Sequence, residues 1–252
     1  MLNYKIKIQY DGTRYKGWQR QKSTDTTIQG KIEAVLQKQF GRAIEIDGSG
    51  RTDAGVHAMG QIANFRLHSH EADQFGQTPE KLQLLLNAYL PEDIVVVEAR
   101  LASERFHSRL NAVEKTYKYR IWNSQIPNVF ERKFLCQIEE TLDTEAMNSA
   151  AKVLLGTHDF AAFCGNAKMK KSTVRSIYEI RIDILGDEIC ITYRGNGFLQ
   201  NMVRILTGTL VEVGLGHLSV QDVTDILSSK TRSQAGPMMP ANGLILWEVK
   251  YD

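Results

Sequence analysis

The order in which two hydrophobic periodicities succeed one another constrains this chain more than any other property. Tyr4, Ile6, Ile8 and Tyr10 alternate with Lys5, Lys7 and Gln9, the two-residue repeat of a half-buried strand. Thr26 and Gln29 stand at capping-box spacing, and Ile28, Ile32, Val35 and Leu36 then fall on one helical face. A short strand is expected over 43–46, followed by the glycine-rich Gly48-Ser49-Gly50 and a strand over 61–67. Pro79 opens a helix with Leu82, Leu85, Leu86 and Tyr89 on one side, and Pro91 stops it. The continuous apolar run 94–97 reads as a buried strand. The resulting β-α-β-β-α-β order is the ferredoxin-like arrangement.

The second half repeats the pattern with additions. Tyr117, Tyr119 and Ile121 alternate with Lys118 and Arg120, and a helix is expected over 144–155. Tyr178, Ile180, Ile182 and Ile184 form a strand that Gly186-Asp187 turns back into Ile189, Ile191 and Tyr193. A helix after Gly197 carries Phe198, Met202, Ile205, Leu206, Thr209 and Val213 on one stripe. Ser219 and Asp222 cap a further helix, and 244–249 closes as a strand. An α+β chain of two ferredoxin-like, RRM-like halves is expected, 1–103 and 104–252, with a connector near 98–110 and a cleft between the halves.

Composition narrows the class. Of 252 residues, 42% are hydrophobic and 24% charged, which excludes a disordered chain or a coiled coil. The most apolar stretch, from Phe198 to Leu218, is broken by Arg204 and Glu212, so no membrane span is expected. The opening Met-Leu-Asn-Tyr-Lys-Ile-Lys lacks the pattern of a signal peptide. Cys136, Cys164 and Cys190 are too few and too scattered for a disulfide or metal scaffold, which suits reduced thiols in the cytoplasm. Against 31 basic residues stand 29 acidic ones, so the significance of charge lies in its distribution. Cations gather at Arg14, Lys16, Arg20 and Lys22, at Arg105 and Arg109, and at Lys168, Lys170, Lys171 and Arg175. Tyr10, Tyr15, Trp18 and Phe106 are interleaved with the first two groups, a pattern suited to a polyanion.

The segment Gly48-Ser-Gly-Arg-Thr-Asp-Ala-Gly-Val-His-Ala58 is the most unusual in the chain. It lacks the Gly-Lys-Ser/Thr ending of a phosphate-binding P-loop and the GxGxxG helix start of a dinucleotide site. Metal-ligand spacings such as HExxH are absent, and His68 and His70 flank Ser69 in a polar stretch suited to solvent. Ser49 has no GxSxG context, and no cysteine has an adjacent base. A carboxylate nucleophile is what remains. Spacing alone also accommodates Asp53 as the cap of a turn.

Arg51-Thr52-Asp53-Ala54-Gly55-Val56-His57-Ala58 resembles the catalytic motif of the bacterial tRNA pseudouridine synthase A family. Tyr10-Asp-Gly-Thr-Arg-Tyr-Lys-Gly-Trp-Gln19 resembles its opening signature, and Phe106-His-Ser-Arg109 its central one. Lys115-Thr-Tyr-Lys-Tyr119 is similar to its tyrosine strand, and Gly197-Phe-Leu-Gln-Asn-Met-Val-Arg204 to its C-terminal motif. Leu154-Leu-Gly-Thr-His-Asp-Phe160 and Gly243-Leu-Ile-Leu-Trp-Glu-Val249 also match, while Met238-Met239 replaces the usual small residues before Pro240. The resemblance implies a pseudouridine synthase fold and isomerisation of uridine to pseudouridine in the anticodon stem-loop of tRNA, at tRNA positions 38, 39 and 40. It implies no metal, nucleotide or redox cofactor, and a homodimer that holds one tRNA across both subunits.

The same resemblance implies Asp53 as the catalytic carboxylate, Tyr117 against the target base, and Arg204 as the partner of the aspartate. A carboxylate can capture or stabilise the positive character that develops as a glycosidic bond breaks. Whether it attacks C1′, attacks C6 or assists deprotonation stays open at this level. Arg51 is expected at a phosphate or in extruding the base, and Phe106, His107 and Arg109 at the border of the cleft. Arg14, Lys16, Lys170 and Lys171 are expected to meet tRNA phosphates. Trp18 either stacks on a base or braces the first strand. Two other readings compete: a related synthase acting at another RNA site, and a non-catalytic RNA-binding protein of two RRM-like halves. The strands lack the aromatic pattern of the latter, and an aspartate on an RNA surface is costly without chemistry to perform.

Overall fold

A computed structural model describes residues 1–76, 78–166 and 169–252; Lys168, one of the clustered cations, lies outside them. The chain forms two compact units, Met1–Val113 with Leu246–Asp252, and Glu114–Ile245. The 104–113 segment and the last seven residues thus go with the first unit, where the sequence reading drew the border after residue 103. The reason lies in the bonds of this segment. Asn3 Nδ2 donates to the carbonyls of Ser103 and Phe106, each at 2.9 Å, and the Tyr251 hydroxyl donates to the Ser108 carbonyl at 2.7 Å.

The first unit runs β1 (Leu2–Tyr10), α1 (Ile28–Phe40), β2 (Asp47–Gly48), β3 (His57–Leu67), α2 (Ser69–Asp73), α3 (Pro79–Asn87) and β4 (Ile94–Ala102). The spatial order β4-β1-β3-β2, with every pairing antiparallel, is that of a ferredoxin-like half. Alternation in β1 buries Tyr4, Ile6, Ile8 and Tyr10, and Ile28, Ile32 and Leu36 of α1 and Leu82 and Leu86 of α3 are buried with them in the core. Three expectations change here. The N-cap of α1 is Thr27, whose hydroxyl accepts from Gly30 N–H, because Thr26 is bonded instead to Thr24. The 43–46 segment is not a strand: the Ile46 amide donates to the Glu33 side chain rather than to a neighbouring strand, and pairing begins at Asp47. Tyr89 lies beyond α3 and is half exposed, under the Lys38 ammonium.

The second unit runs β5 (Ala112–Asn123), β6 (Cys136–Ile138), α4 (Thr144–Val153), β7 (Gly156–Asp159), β8 (Val174–Leu185), β9 (Glu188–Gly195), α5 (Met202–Gly214) and α6 (Val220–Ser229) before the terminal β10 (Leu244–Tyr251). Its sheet order is β5-β9-β8-β7, antiparallel throughout, with β6 parallel to β5. α5 is buried almost all round, and its two interior threonines bond within the fold: Thr207 and Thr209 donate back to Val203 and Ile205 carbonyls. Phe198, expected on the helical stripe, precedes α5 in the loop and packs edge-on against Tyr117. α6 begins at the expected Ser219–Asp222 capping box. Cys136, Cys164 and Cys190 are free thiols. Among the described residues, no helix is long and apolar enough to cross a membrane.

Candidate active site

Two loops of the first unit interlock. One joins β1 to α1, the other joins β2 to β3 and carries Asp53. Trp18 N–H donates to the Thr52 carbonyl at 3.0 Å, and Gly55 N–H donates to the Tyr15 carbonyl at 3.2 Å. Gly12 N–H donates to His57 Nδ1 at 3.0 Å, and the Tyr10 and Thr52 hydroxyls share a bond of 2.8 Å. His57 Nδ1 also lies 3.3 Å from Asp11 Oδ1. The loops meet closely only because of glycine. A Cβ at Gly12 would stand 2.0 Å from the Val56 carbonyl oxygen, and Gly17, at φ +92°, would place one 2.7 Å from the Thr52 carbonyl oxygen. The half-buried Asp53 is therefore presented from a backbone held on both sides, and its own carbonyl accepts from Val56 N–H.

The loop is also fastened from below. Ser49 Oγ donates to Gln61 Oε1 at 2.6 Å, and Gln61 Nε2 donates to the Gly50 carbonyl at 3.0 Å. The buried Glu33 receives Gln29 Nε2 and Ile46 N–H and pairs with Arg20 at 3.0 Å, which fixes the chain on its way into the loop. Trp18 is buried beside Tyr10 and braces the sheet, which settles its two readings in favour of structure. Arg51 is exposed, with Nε bonded to Gln19 Oε1 at 3.0 Å. Arg14 and Lys16 are exposed on the partner loop, and Arg14 pairs with Asp93 at 2.6 Å. Asp93 also accepts the Tyr15 hydroxyl at 2.5 Å; burial first, then this carboxylate, raises the phenol's pKa.

The 106–109 segment joins the same unit through Ser108, which the sequence reading passed over. Ser108 is fully buried; its amide donates to Asn64 Oδ1 at 2.8 Å, and its hydroxyl donates to the Asp47 carbonyl. The Phe106 ring lies 5.1 Å from that of Tyr251, tilted by 58°, with the Lys5 ammonium over both rings. His107 Nδ1 accepts from Arg109 N–H at 3.1 Å, its Nε2 lies 3.9 Å from Asp47, and Arg109 is exposed. The signal for these anchors was present in the sequence: Gln61 and Asn64 are polar residues inside an apolar strand run, and both are buried.

Tyr117 and Arg204 belong to the second unit, Asp53 to the first. Tyr117 is buried on β5 opposite Tyr193 of β9, its ring 5.2 Å from that of Phe198. Arg204 lies in the first turn of α5. Its Nε donates to the Met239 carbonyl at 2.6 Å, and Nη1 reaches Asn201 Oδ1 at 3.4 Å. Asn201 precedes the helix in the left-handed region, at φ 58°. Arg204 is thus a half-buried, oriented guanidinium rather than a solvated one.

A family model described as tRNA pseudouridine synthase matches residues 6–109 and 150–252. The chain belongs to the tRNA pseudouridine synthase family. Full-length relatives agree. The chain is 49% identical to a tRNA pseudouridine synthase A of Bacillus sp. (strain KSM-64) over 251 residues, all of both chains. It is 46% identical to a tRNA pseudouridine synthase A 1 of Clostridium tetani (strain Massachusetts / E88) and 44% identical to a tRNA pseudouridine synthase A 2 of Bacillus anthracis, again over all of both chains. Membership of the tRNA pseudouridine synthase family makes the protein an isomerase, and its α+β architecture agrees with the pseudouridine synthase fold.

Proposed function

We propose that this enzyme converts uridine to pseudouridine in the anticodon stem-loop of tRNA, at tRNA positions 38, 39 and 40, with Asp53 as the catalytic carboxylate. The observation that carries the reading is the pair of interlocked loops: two separate sequence signatures converge to hold the backbone around one half-buried aspartate. The reaction breaks the N1–C1′ bond and forms C5–C1′; the proton leaves C5 and N1 gains one, so no atom enters or departs. The target base must leave its stack to meet a carboxylate. Arg51, exposed beside Asp53, acts on the displaced nucleotide or its phosphate, and Tyr117 lies against the base. Arg204 holds the aspartate in its charged form, since a guanidinium beside a carboxylate lowers its pKa. Arg14, Lys16 and Arg109 meet phosphates, and Phe106 and His107 border the bound RNA. A homodimer grips one tRNA across both subunits in the cytoplasm.

The test uses purified protein and unmodified tRNA transcripts bearing uridine at 38, 39 and 40 and at other sites. Mapping the product should place pseudouridine at those three positions alone. Pseudouridine confined to other positions would assign the enzyme to a different RNA site.

A further inference from the structure

The second unit contains a cavity of about 560 Å³ that shares no residue with the site above. Its wall is formed by Asp159 at the end of β7, by the segment leading into β8, and by the residues that follow α6. Four cations border it, Lys170, Lys171, Lys230 and Arg232, against one carboxylate, Asp159. For a chain whose formal net charge is +2, this is a local concentration.

The carboxylate does not neutralise the group. Asp159 Oδ1 accepts the Thr173 hydroxyl at 2.5 Å and Ala161 N–H at 3.2 Å, while Oδ2 meets Lys230 Nζ at 2.9 Å. It is committed to shaping the wall and offsets one charge of four. Among the described residues, Lys170, Lys171 and Arg232 have no carboxylate within ion-pair distance. Arg232 Nη1 donates to the carbonyls of Ala235 and Gly236, at 3.2 and 3.1 Å, which directs its guanidinium. The floor is softer: Cys164 Sγ lies 3.7 Å from Met169 Sδ. Surplus cations converging on a concave wall raise the local concentration of a polyanion.

The chemistry distinguishes among anions. Tight capture of a free phosphate uses a helix N-terminus or a bidentate arginine fork. Here the charges are mostly lysine point charges, and one edge of the arginine is spent on carbonyls. That arrangement suits a phosphodiester chain followed without regard to base, its sugars resting on the thioether floor.

We propose that this cavity is a docking site for a stretch of the substrate RNA's phosphodiester backbone. The proposal rests on the RNA-modifying reading given above. Its test measures tRNA binding by fluorescence anisotropy across roughly 50 to 200 mM salt. The variants are the exposed double change Lys170→Gln with Lys171→Gln, and Lys230→Asn, which keeps a side chain tolerant of the left-handed conformation found there, φ 56°. The double variant should lose about tenfold in affinity, with a log–log salt slope shallower by about 1.5, and Lys230→Asn by about half that slope change. Its thermal unfolding midpoint should match wild type. Affinity and slope equal to wild type in both variants overturn the site. So does a wild-type thermal midpoint raised by millimolar inorganic phosphate and abolished by the changes while tRNA binding stays intact, which would mark a free-anion site. Pseudouridine formation by wild type, measured in the same preparations, reports on the functional reading separately, so failure of one is told apart from failure of the other.

Discussion

Gly12 lies so close to Val56 that a Cβ built on it would stand 2.0 Å from the Val56 carbonyl oxygen. The obstacle is backbone, and backbone cannot rotate away as a side-chain tip can. Gly12→Ala must therefore push the two loops apart and break the Gly12 N–H to His57 Nδ1 bond. The cost should be about 2–3 kcal/mol of stability, typical of forcing atoms into a packed site. The rate should fall further, by about 10²-fold, because a displacement near 1 Å at a reacting group costs about that much. Urea midpoints and single-turnover pseudouridine formation are the measurements; full activity would mean that the loop tolerates displacement.

Asp53→Asn keeps the shape of the side chain and removes its charge. The loop contacts near it run through backbone, by way of Thr52, Gly55 and Val56, so the variant should fold and bind tRNA as before. Pseudouridine formation should vanish, since an amide is a far weaker nucleophile and no base. Substantial turnover by this variant would remove Asp53 from the chemistry.

Much of this fold was legible in periodicity, and two of the exceptions share one cause. β1, α1, α3, α4 and α6 follow from spacing because apolar burial decides them. In those two exceptions a side chain takes over a backbone bond: Thr24 Oγ1 accepts the Thr26 amide, and Glu33 accepts the Ile46 amide. Arg51, Asp53 and His57 stood out as punctuation between glycines. Their supports were only half legible: Gln61 and Asn64 show as polar residues inside an apolar strand run, but the partners that they and Ser108 reach lie far along the chain, where no local pattern points.

Ser108 gives such a support a test. Its hydroxyl donates to the Asp47 carbonyl, directly before the loop that carries Asp53. Ser108→Ala should cost about 1 kcal/mol, the usual worth of one hydrogen bond. Ser108→Thr keeps the hydroxyl and should restore the bond only where the added methyl fits beside Asn64. A rate loss several-fold greater in alanine than its stability loss explains would identify a positioning role; equal losses would leave Ser108 a packing residue.

Acid stability should be dominated by Glu71. Arg42 clasps its carboxylate through two bonds, of 2.6 and 2.8 Å, and His68 N–H adds a third at 2.7 Å. The Arg42 fork, opposed by burial and helped by the His68 amide, holds its pKa down at about 2, against 4.5 for an ordinary glutamate. Because the folded-state value is depressed, the stabilisation is complete above the unfolded value and drains away as pH falls from 4.5 toward 2. Arg42 is partly exposed, so Glu71→Gln should cost about 2 kcal/mol near neutrality rather than the 3–5 of a fully buried pair. The gap to wild type should close as pH drops through that window. A constant gap in urea midpoints from neutral to acid would show that the pair does not titrate with unfolding.

Arg204 has a bonded role in the fold and, in the function proposed above, a second one at Asp53. Nε is bonded to the Met239 carbonyl, and Met239 N–H returns a bond to the Arg204 carbonyl, so the 239 segment and the first turn of α5 hold each other. Arg204→Ala and Arg204→Lys both lose the Nε bond, and both should lose about 1–2 kcal/mol of stability. The catalytic consequence separates them. If the guanidinium keeps Asp53 charged, its removal raises the aspartate pKa by ~1–3 units. A higher pKa moves the acidic limb of the rate profile to higher pH, because the ionised fraction then appears later. Lysine restores part of the charge but cannot span two carboxylate oxygens, so its limb should return partway while its plateau stays low. Single-turnover rates against pH, with tRNA saturating, measure both quantities. An acidic limb unmoved in the alanine variant, with a normal plateau, would leave Arg204 as the clasp of the 239 segment alone.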